Sequence, residues 1–284
     1  VRRRATTFLG VDLGGGKGKN TAVARLVEAE DGASVTVTDY GTGRDTPFYD
    51  TQLVAYLREH PDAIVAIDAP LTMPACVRCT RPACPTVERC DVPVVAWFRA
   101  RANRPPAPLG REEVVRLEPT NGKAAAARQH KPRYTTYTQR ATEVLLHEEQ
   151  SILPRETLGQ GMGPLASRGV YLVRALADVF ALNETLIEVY PKATITQLFS
   201  ARVAARYKRS AESPAMRLEI LNGLPSLRFA PGAWREDGLA NDHKFDAIMC
   251  AYTAWLYTRG LCVAPTDPVV ADDGWIWIPA PKSA

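Results

Sequence analysis

Apolar residues dominate the run TTFLGV, from Thr6 to Val11, which ends at Asp12. The glycine-rich stretch LGGGKGKN separates it from TAVARLV, and SVTVTDY then alternates apolar and polar positions. These patterns predict three strands, and their close succession predicts an antiparallel meander. In PFYDTQLVAYLREH the apolar positions Leu53, Val54 and Leu57 follow Phe48 and Tyr49 at helical spacing, and Pro47 suits a first turn. AIVAID is a continuous apolar run of the kind found in strands buried on both faces, and it ends at Asp68. The opening therefore reads β-β-β-α-β.

The pattern changes over 74–133, a stretch rich in Cys, Pro, Arg and Ala. Its segment RANRPPAPLG cannot be helical across the prolines. We read 74–133 as an insertion within one domain that spans 1–284. Helical patterning returns in TYTQRATEVLLHEEQ and PLASRGVYLVRALADVF. The strand TLIEVYP follows, then the helices ATITQLFSARVAARYKR and SPAMRLEILNGL. In DHKFDAIMCAYTAWLYTRG the residues Phe245, Ile248, Met249, Tyr252, Trp255 and Leu256 mark one helical stripe, with Gly260 as its stop. WIWIP reads as a terminal strand. The expected class is α/β: a mixed sheet flanked by helices, with a cysteine-rich insertion.

At 284 residues the chain can bury a full core without covalent staples. Its 46% hydrophobic and 23% charged content suits a globular protein, and no apolar run approaches a membrane span. VRRRATTFLG is basic, but the apolar run after it is short and leads into Asp12, so no secretory segment is expected. A cytoplasmic setting follows, in which thiols stay reduced. The net charge of +4 is only mildly basic, so the placement of cations says more than their sum.

Four of the six cysteines fall within fifteen residues: Cys76, Cys79, Cys84 and Cys90, spaced C-x2-C-x4-C-x5-C. Such a set can wrap one metal centre, a structural Zn2+ or, alternatively, an iron–sulfur cluster. Two disulfides or four unrelated thiols are the other arrangements. Cys250 lies inside an apolar helix and reads as inert, and Cys262 reads as a stray thiol.

Acids stand at the ends of the predicted elements. Asp12 and Asp68 end strands, Glu188 lies near the end of TLIEVYP, and Asp242, His243 and Asp246 open the late helix. Ligands of α/β sheets gather at the carboxyl ends of parallel strands. Two carboxylates about 4 Å apart repel by roughly 4 kcal/mol at an effective dielectric near 20. A divalent cation removes that repulsion, and all-oxygen ligation favours Mg2+ or Mn2+. Asp12, Asp68, Glu188, His243 and Asp246 are thus the candidate catalytic residues, with Asp12, Asp68 and Asp246 as metal ligands. Asp242 reads as a helix cap.

Cations and aromatics interleave in RQHKPRYTTYTQR, a composition that suits a phosphate-lined or single-stranded groove. Lys131, Arg133 and Arg140, with Lys17 and Lys19 of the glycine-rich loop, are the candidate substrate contacts. Arg140 also lies three residues before Glu143, a spacing that allows a structural ion pair instead.

The order strand–Asp12, meander, helix, strand–Asp68, helices and late helix with Asp246 resembles the RNase H-like fold. HKFDA, at His243 to Ala247, is similar to the HxxDA helix of RuvC-type resolvases, whose His and Asp belong to the catalytic cluster. Asp68 stands where a glutamate would serve in those enzymes. More closely, the chain resembles a family of predicted RNase H-fold nucleases, domain of unknown function 429. The matching segments are GVDLGGGKGKNTAVA, IVAIDAPLTMP, the cysteine run, YTQRATE, IEVYPKAT, KFDAIMCAYTA and IWIP. The resemblance implies a nuclease that hydrolyses phosphodiester bonds of DNA or RNA, with two metal ions held on the acids.

Two other readings stay open. Actin-like and sugar-kinase ATP-binding phosphotransferases also open with a strand, an Asp and a glycine-rich hairpin, but they need a second phosphate loop, and APTDPVVADDG lacks its glycines. GGGKGKN itself departs from the P-loop pattern, with Leu13 and Asn20 at its defining positions. The third reading is an inactive nucleic-acid-binding protein with a structural zinc site.

Overall fold

A computed structural model of the chain describes residues 5–15, 21–40, 49–102, 134–208, 211–231 and 234–281. The meander forms as its patterning predicts. Strand β1 (Thr7–Asp12) pairs antiparallel with β2 (Ala22–Glu28), and β2 pairs antiparallel with β3 (Val35–Asp39). Helix α1 (Asp50–Arg58) then returns the chain to β4 (Ile64–Asp68), which lies parallel to β1. Further on, β5 (Leu186–Val189) adds parallel to β4. Two short strands complete the edges: β6 (Leu227–Phe229) beside β3 and β7 (Ile276–Trp277) beside β5. The seven-stranded order is β6-β3-β2-β1-β4-β5-β7. β6 escaped the sequence reading because three residues are too few to show a period.

The helices depart from the sequence reading in several places, two of them short helices it did not anticipate, over Trp234–Ala240 and Pro268–Asp273. Helix α2 (Pro93–Ala102) lies inside the stretch 74–133 read as an insertion, and it ends before the prolines of RANRPPAPLG. Helix α3 (Ala141–Gln150) starts later than expected, and α4 (Gly163–Ala175) follows it. The single long helix expected over ATITQLFSARVAARYKR is two, α5 (Pro191–Leu198) and α6 (Ala201–Arg206). Ser200 divides them, capping α6 through a bond from the Val203 N–H to its hydroxyl. Then come α7 (Ser213–Asn222), α8 (Trp234–Ala240), the long α9 (Asp242–Thr258) and α10 (Pro268–Asp273).

Period two along the strands divides the core. Phe8 of β1, with Ile64 and Ala66 of β4, packs on the face that carries α9. Leu9, Val11, Val65 and Ile67 pack on the other face with Leu53 and Leu57 of α1 and Leu172 of α4. Helix α9 is buried continuously from Phe245 to Tyr257. The sequence stripe suggested one buried face; the helix instead runs through the interior, as an all-round apolar helix must. It lies against Gly10 of β1, where a Cβ would overlap the Ala247 carbonyl and the Ala251 nitrogen. Among the described residues, no helix is long and apolar enough to cross a membrane.

Candidate metal centre

Alternation decides which acids meet. Asp12 follows Phe8 and Gly10 in parity, and Asp68 follows Ile64 and Ala66, so both turn toward α9. They are direct partners in the parallel β1–β4 pair, each the last residue of its strand. Asp246, in the second turn of α9, meets them from across the sheet. Each of the three offers a carboxylate oxygen within 4.8 Å of the others. Among the described residues this is the group of His, Cys, Asp and Glu side chains that can hold a metal ion.

The site is electrostatically tense. Burial, first, and then the charges of Asp12 and Asp246 push the Asp68 carboxyl well above its ordinary range. Asp246 is fully buried, and its carboxyl is pushed up to about 7, chiefly by desolvation and, among the charges, by Asp12. The Lys208 ammonium and the Tyr207 hydroxyl offset part of that rise. Lys208 ion-pairs with Asp246 through Oδ2. Three crowded carboxylates beside one ammonium remain costly, and a divalent cation supplies the charge they lack. The donor set is all oxygen, which fits Mg2+ or Mn2+.

His243 joins the site from the first turn of α9. Its Nδ1–H donates to Asp12 Oδ2 at 2.6 Å, and this bond raises the imidazole pKa against the opposing effect of burial. Asp242 is not the cap. Asn241 takes that position, its side-chain oxygen accepting from the His243 and Lys244 N–H groups.

The structure does not bring Glu188 into the group. Glu188 pairs with Ile67, one residue short of Asp68, so it turns to the opposite face. There Arg140 grips it bidentately, Nη1 to Oε2 at 2.7 Å and Nη2 to Oε1 at 2.6 Å. The Leu71 N–H adds a bond of 2.8 Å, which ties Glu188 to the loop just past Asp68. Glu188 therefore holds the scaffold beneath the acids.

Arg140, a candidate phosphate contact in the sequence, is 1% exposed and turned inward. It also bonds Glu143 Oε1 at 3.0 Å, the Thr157 hydroxyl at 2.6 Å and the Thr72 hydroxyl at 3.0 Å. The i,i+3 ion pair is the arrangement that forms, because a buried guanidinium needs carboxylates that a solvent-facing one does not. Lys17, Lys19, Lys131 and Arg133 lie outside the described residues.

The four clustered cysteines all carry free thiols. Cys90 is buried, Cys76 half-buried beside the Thr136 hydroxyl at 3.0 Å, and Cys79 and Cys84 exposed. No three of their sulfurs come within 4.8 Å of one another. Cys250 lies under the acids with its Sγ 3.7 Å from the Val11 carbonyl, and burial pushes its thiol far up, so it is inert.

Sequence reasoning missed Lys208 and Arg168. Lys208 sits in an unremarkable basic segment, with no pattern to mark it. Arg168 of α4 steadies the residues after Asp12: it donates to the Gly14 carbonyl and the Thr21 hydroxyl, each at 2.7 Å, and to Asp50 at 2.6 Å.

The fold and site define an α/β protein with a mixed seven-stranded sheet and a carboxylate centre able to hold a metal ion. The chain belongs to the family described as protein of unknown function (DUF429), whose model matches residues 10–270. No curated protein and no solved structure matches it.

Proposed function

We propose that this protein is a Mg2+- or Mn2+-dependent nuclease on an RNase H-like sheet. The observation that carries the reading is the convergence of Asp12, Asp68 and Asp246 within 4.8 Å, from two adjacent strand ends and the helix across them. The sheet supports it: an antiparallel meander continued by parallel strands, in the order β3-β2-β1-β4-β5. Bound divalent ions would supply Lewis-acid stabilisation of charge on the phosphate and an activated water.

The chain's own residues do the rest. Asp12, Asp68 and Asp246 hold the ions. His243, partly exposed and charged more readily than a free imidazole, stands at the rim and delivers a proton to the leaving oxygen. Lys17, Lys19, Lys131 and Arg133 are proposed to contact the nucleic-acid backbone. Arg140 and Glu188 set the loop that follows Asp68. The cysteine spacing supports a structural zinc in the loop that carries Cys76, Cys79, Cys84 and Cys90, which requires Cys79 and Cys84 to swing inward.

The test is cleavage of single-stranded, duplex and branched DNA and RNA with Mg2+ or Mn2+, by wild type and Asp12→Asn. Metal-dependent cleavage that falls by about a hundredfold or more in the variant is expected, since even partners outside the ligand set are worth roughly 10–100-fold. Undiminished cleavage by Asp12→Asn would place the chemistry elsewhere. Tight ATP binding without nuclease activity would favour the actin-like phosphotransferase reading. Metal-independent nucleic-acid binding without cleavage would favour an inactive binding protein.

A further inference from the structure

The geometry points to Lys208 as an exchangeable internal cation of the acidic centre: its ammonium occupies the metal position in the ion-free protein and leaves when a divalent ion enters. This inference rests on the metal-binding reading of the same site.

The lysine is delivered there by a rigid anchor. Tyr207, at the C-terminus of α6, is 2% exposed and packs on Phe245 of α9, with ring centroids 5.5 Å apart. The Arg217 Nη1–H donates to the Tyr207 carbonyl at 3.1 Å and fixes the backbone one residue before the lysine. The next side chain then ion-pairs with Asp246 Oδ2.

The contact itself is that of a movable charge. A fixed structural ion pair aligns its donors on the carboxylate, as Arg140 does on Glu188. Lys208 instead meets one Asp246 oxygen as a single ammonium point charge, not as a two-bonded fork. Lys208 also keeps a route out. About a third of its side chain is exposed (34%), while Asp246 has no exposure at all. Its ammonium is 5.4 Å from the centre of the Tyr207 ring, a second station for a cation beside the site.

Charge balance gives the reason for exchange. Three carboxylates crowd the centre, and among the described residues Lys208 is the cation paired with Asp246. A divalent ion placed among those oxygens repels the ammonium and takes over its role. The flexible four-carbon stem lets the lysine withdraw without moving the backbone. Ion entry is therefore a competition, and the apparent metal affinity of the wild type is set below that of the bare carboxylates.

The experiment is Mn2+ titration of wild type, Lys208→Met and Asp12→Asn, followed by calorimetry and by the electron paramagnetic resonance signal of free Mn2+. Lys208→Met should bind Mn2+ about tenfold or more tightly than wild type and melt lower in chelator, while Asp12→Asn should lose binding. Equal or weaker binding by a folded Lys208→Met, with wild type still binding, overturns the exchange and leaves the metal reading standing. No Mn2+ binding by any of the three overturns both. Should Lys208→Met fail to fold, wild type carrying 13C-methylated lysines keeps the idea open to refutation. The Lys208 signal, identified by its loss in Lys208→Arg, should move toward that of a solvent-exposed lysine when Mg2+ is added. A signal unmoved at saturating Mg2+ overturns the exchange.

Discussion

Gly10 and Ala247 touch backbone to backbone: a single added Cβ on Gly10 would overlap the Ala247 carbonyl oxygen. The glycine lies two residues before Asp12, and the alanine directly follows Asp246. Their close approach is what brings a carboxylate on a helix to a carboxylate on a strand. Gly10→Ala should therefore do two things. It should destabilise the protein by about 1–3 kcal/mol, the usual cost of forcing an extra carbon into a packed core. It should also weaken Mn2+ binding out of proportion to that loss, because α9 must lift from β1. Urea denaturation and Mn2+ titration on the same variant check both.

Arg140 is the sole guanidinium that grips both Glu143 and Glu188 among the described residues, and all three side chains are buried. Arg140→Ala should cost about 3–5 kcal/mol, the range found when one member of a buried ion pair is removed and its partner charge is stranded. Arg140→Lys should recover little of it, since an ammonium cannot hold Glu188 through two parallel bonds. Denaturant unfolding measures both. A loss under 1 kcal/mol in Arg140→Ala would contradict this account.

The acidic centre makes ion-free stability depend on pH with a definite sign. Asp246 titrates near 7 in the fold against an ordinary 3.8, with Asp12, Asp68, Lys208 and Tyr207 facing it. A carboxyl raised in this way contributes stability fully present below its unfolded value and lost as pH climbs through the folded one. His243, also raised, acts in the same direction over a window that begins near its ordinary 6.5. In chelator the protein should melt higher at pH 6 than at pH 8.5. Saturating Mg2+ should reverse the trend, because the ion binds the ionised carboxylates. Thermal melts at the two pH values, with and without Mg2+, decide it.

The cysteine loop gives a prediction independent of the acids. Protein purified under reducing conditions should carry about one zinc per chain, lost in Cys79→Ser. The core should survive that loss, since a chain of this length does not depend on a staple. The loop is already tied by Arg99, which donates to the Val87 and Cys90 carbonyls at 2.7 and 2.9 Å, and by Arg78, which bonds the buried Asp273 at 2.5 Å. Elemental analysis and an absorption spectrum separate zinc, an iron–sulfur cluster and a metal-free loop.

The sequence alone determined the strand-ending positions of Asp12 and Asp68, the meander, and the helix bearing His243 and Asp246. These follow from local periodicity and from acids that interrupt apolar runs, both of which a short window of residues records. Register it could not determine. Glu188 looked equivalent to Asp68, each an acid near the end of an apolar strand. Yet Glu188 falls opposite Ile67 and so faces away, and a shift of one residue would have reversed that outcome. Arg140 was likewise legible as a cation three residues from an acid. Only burial chose the ion pair over a phosphate. Lys208 carried no local signal at all, because its meaning lies in Asp246, distant in sequence and adjacent only once α6 and α9 pack through Tyr207 and Phe245. Local pattern records what each residue can do within its own element; which side chains meet is set by register and packing, and these exist only in the folded chain.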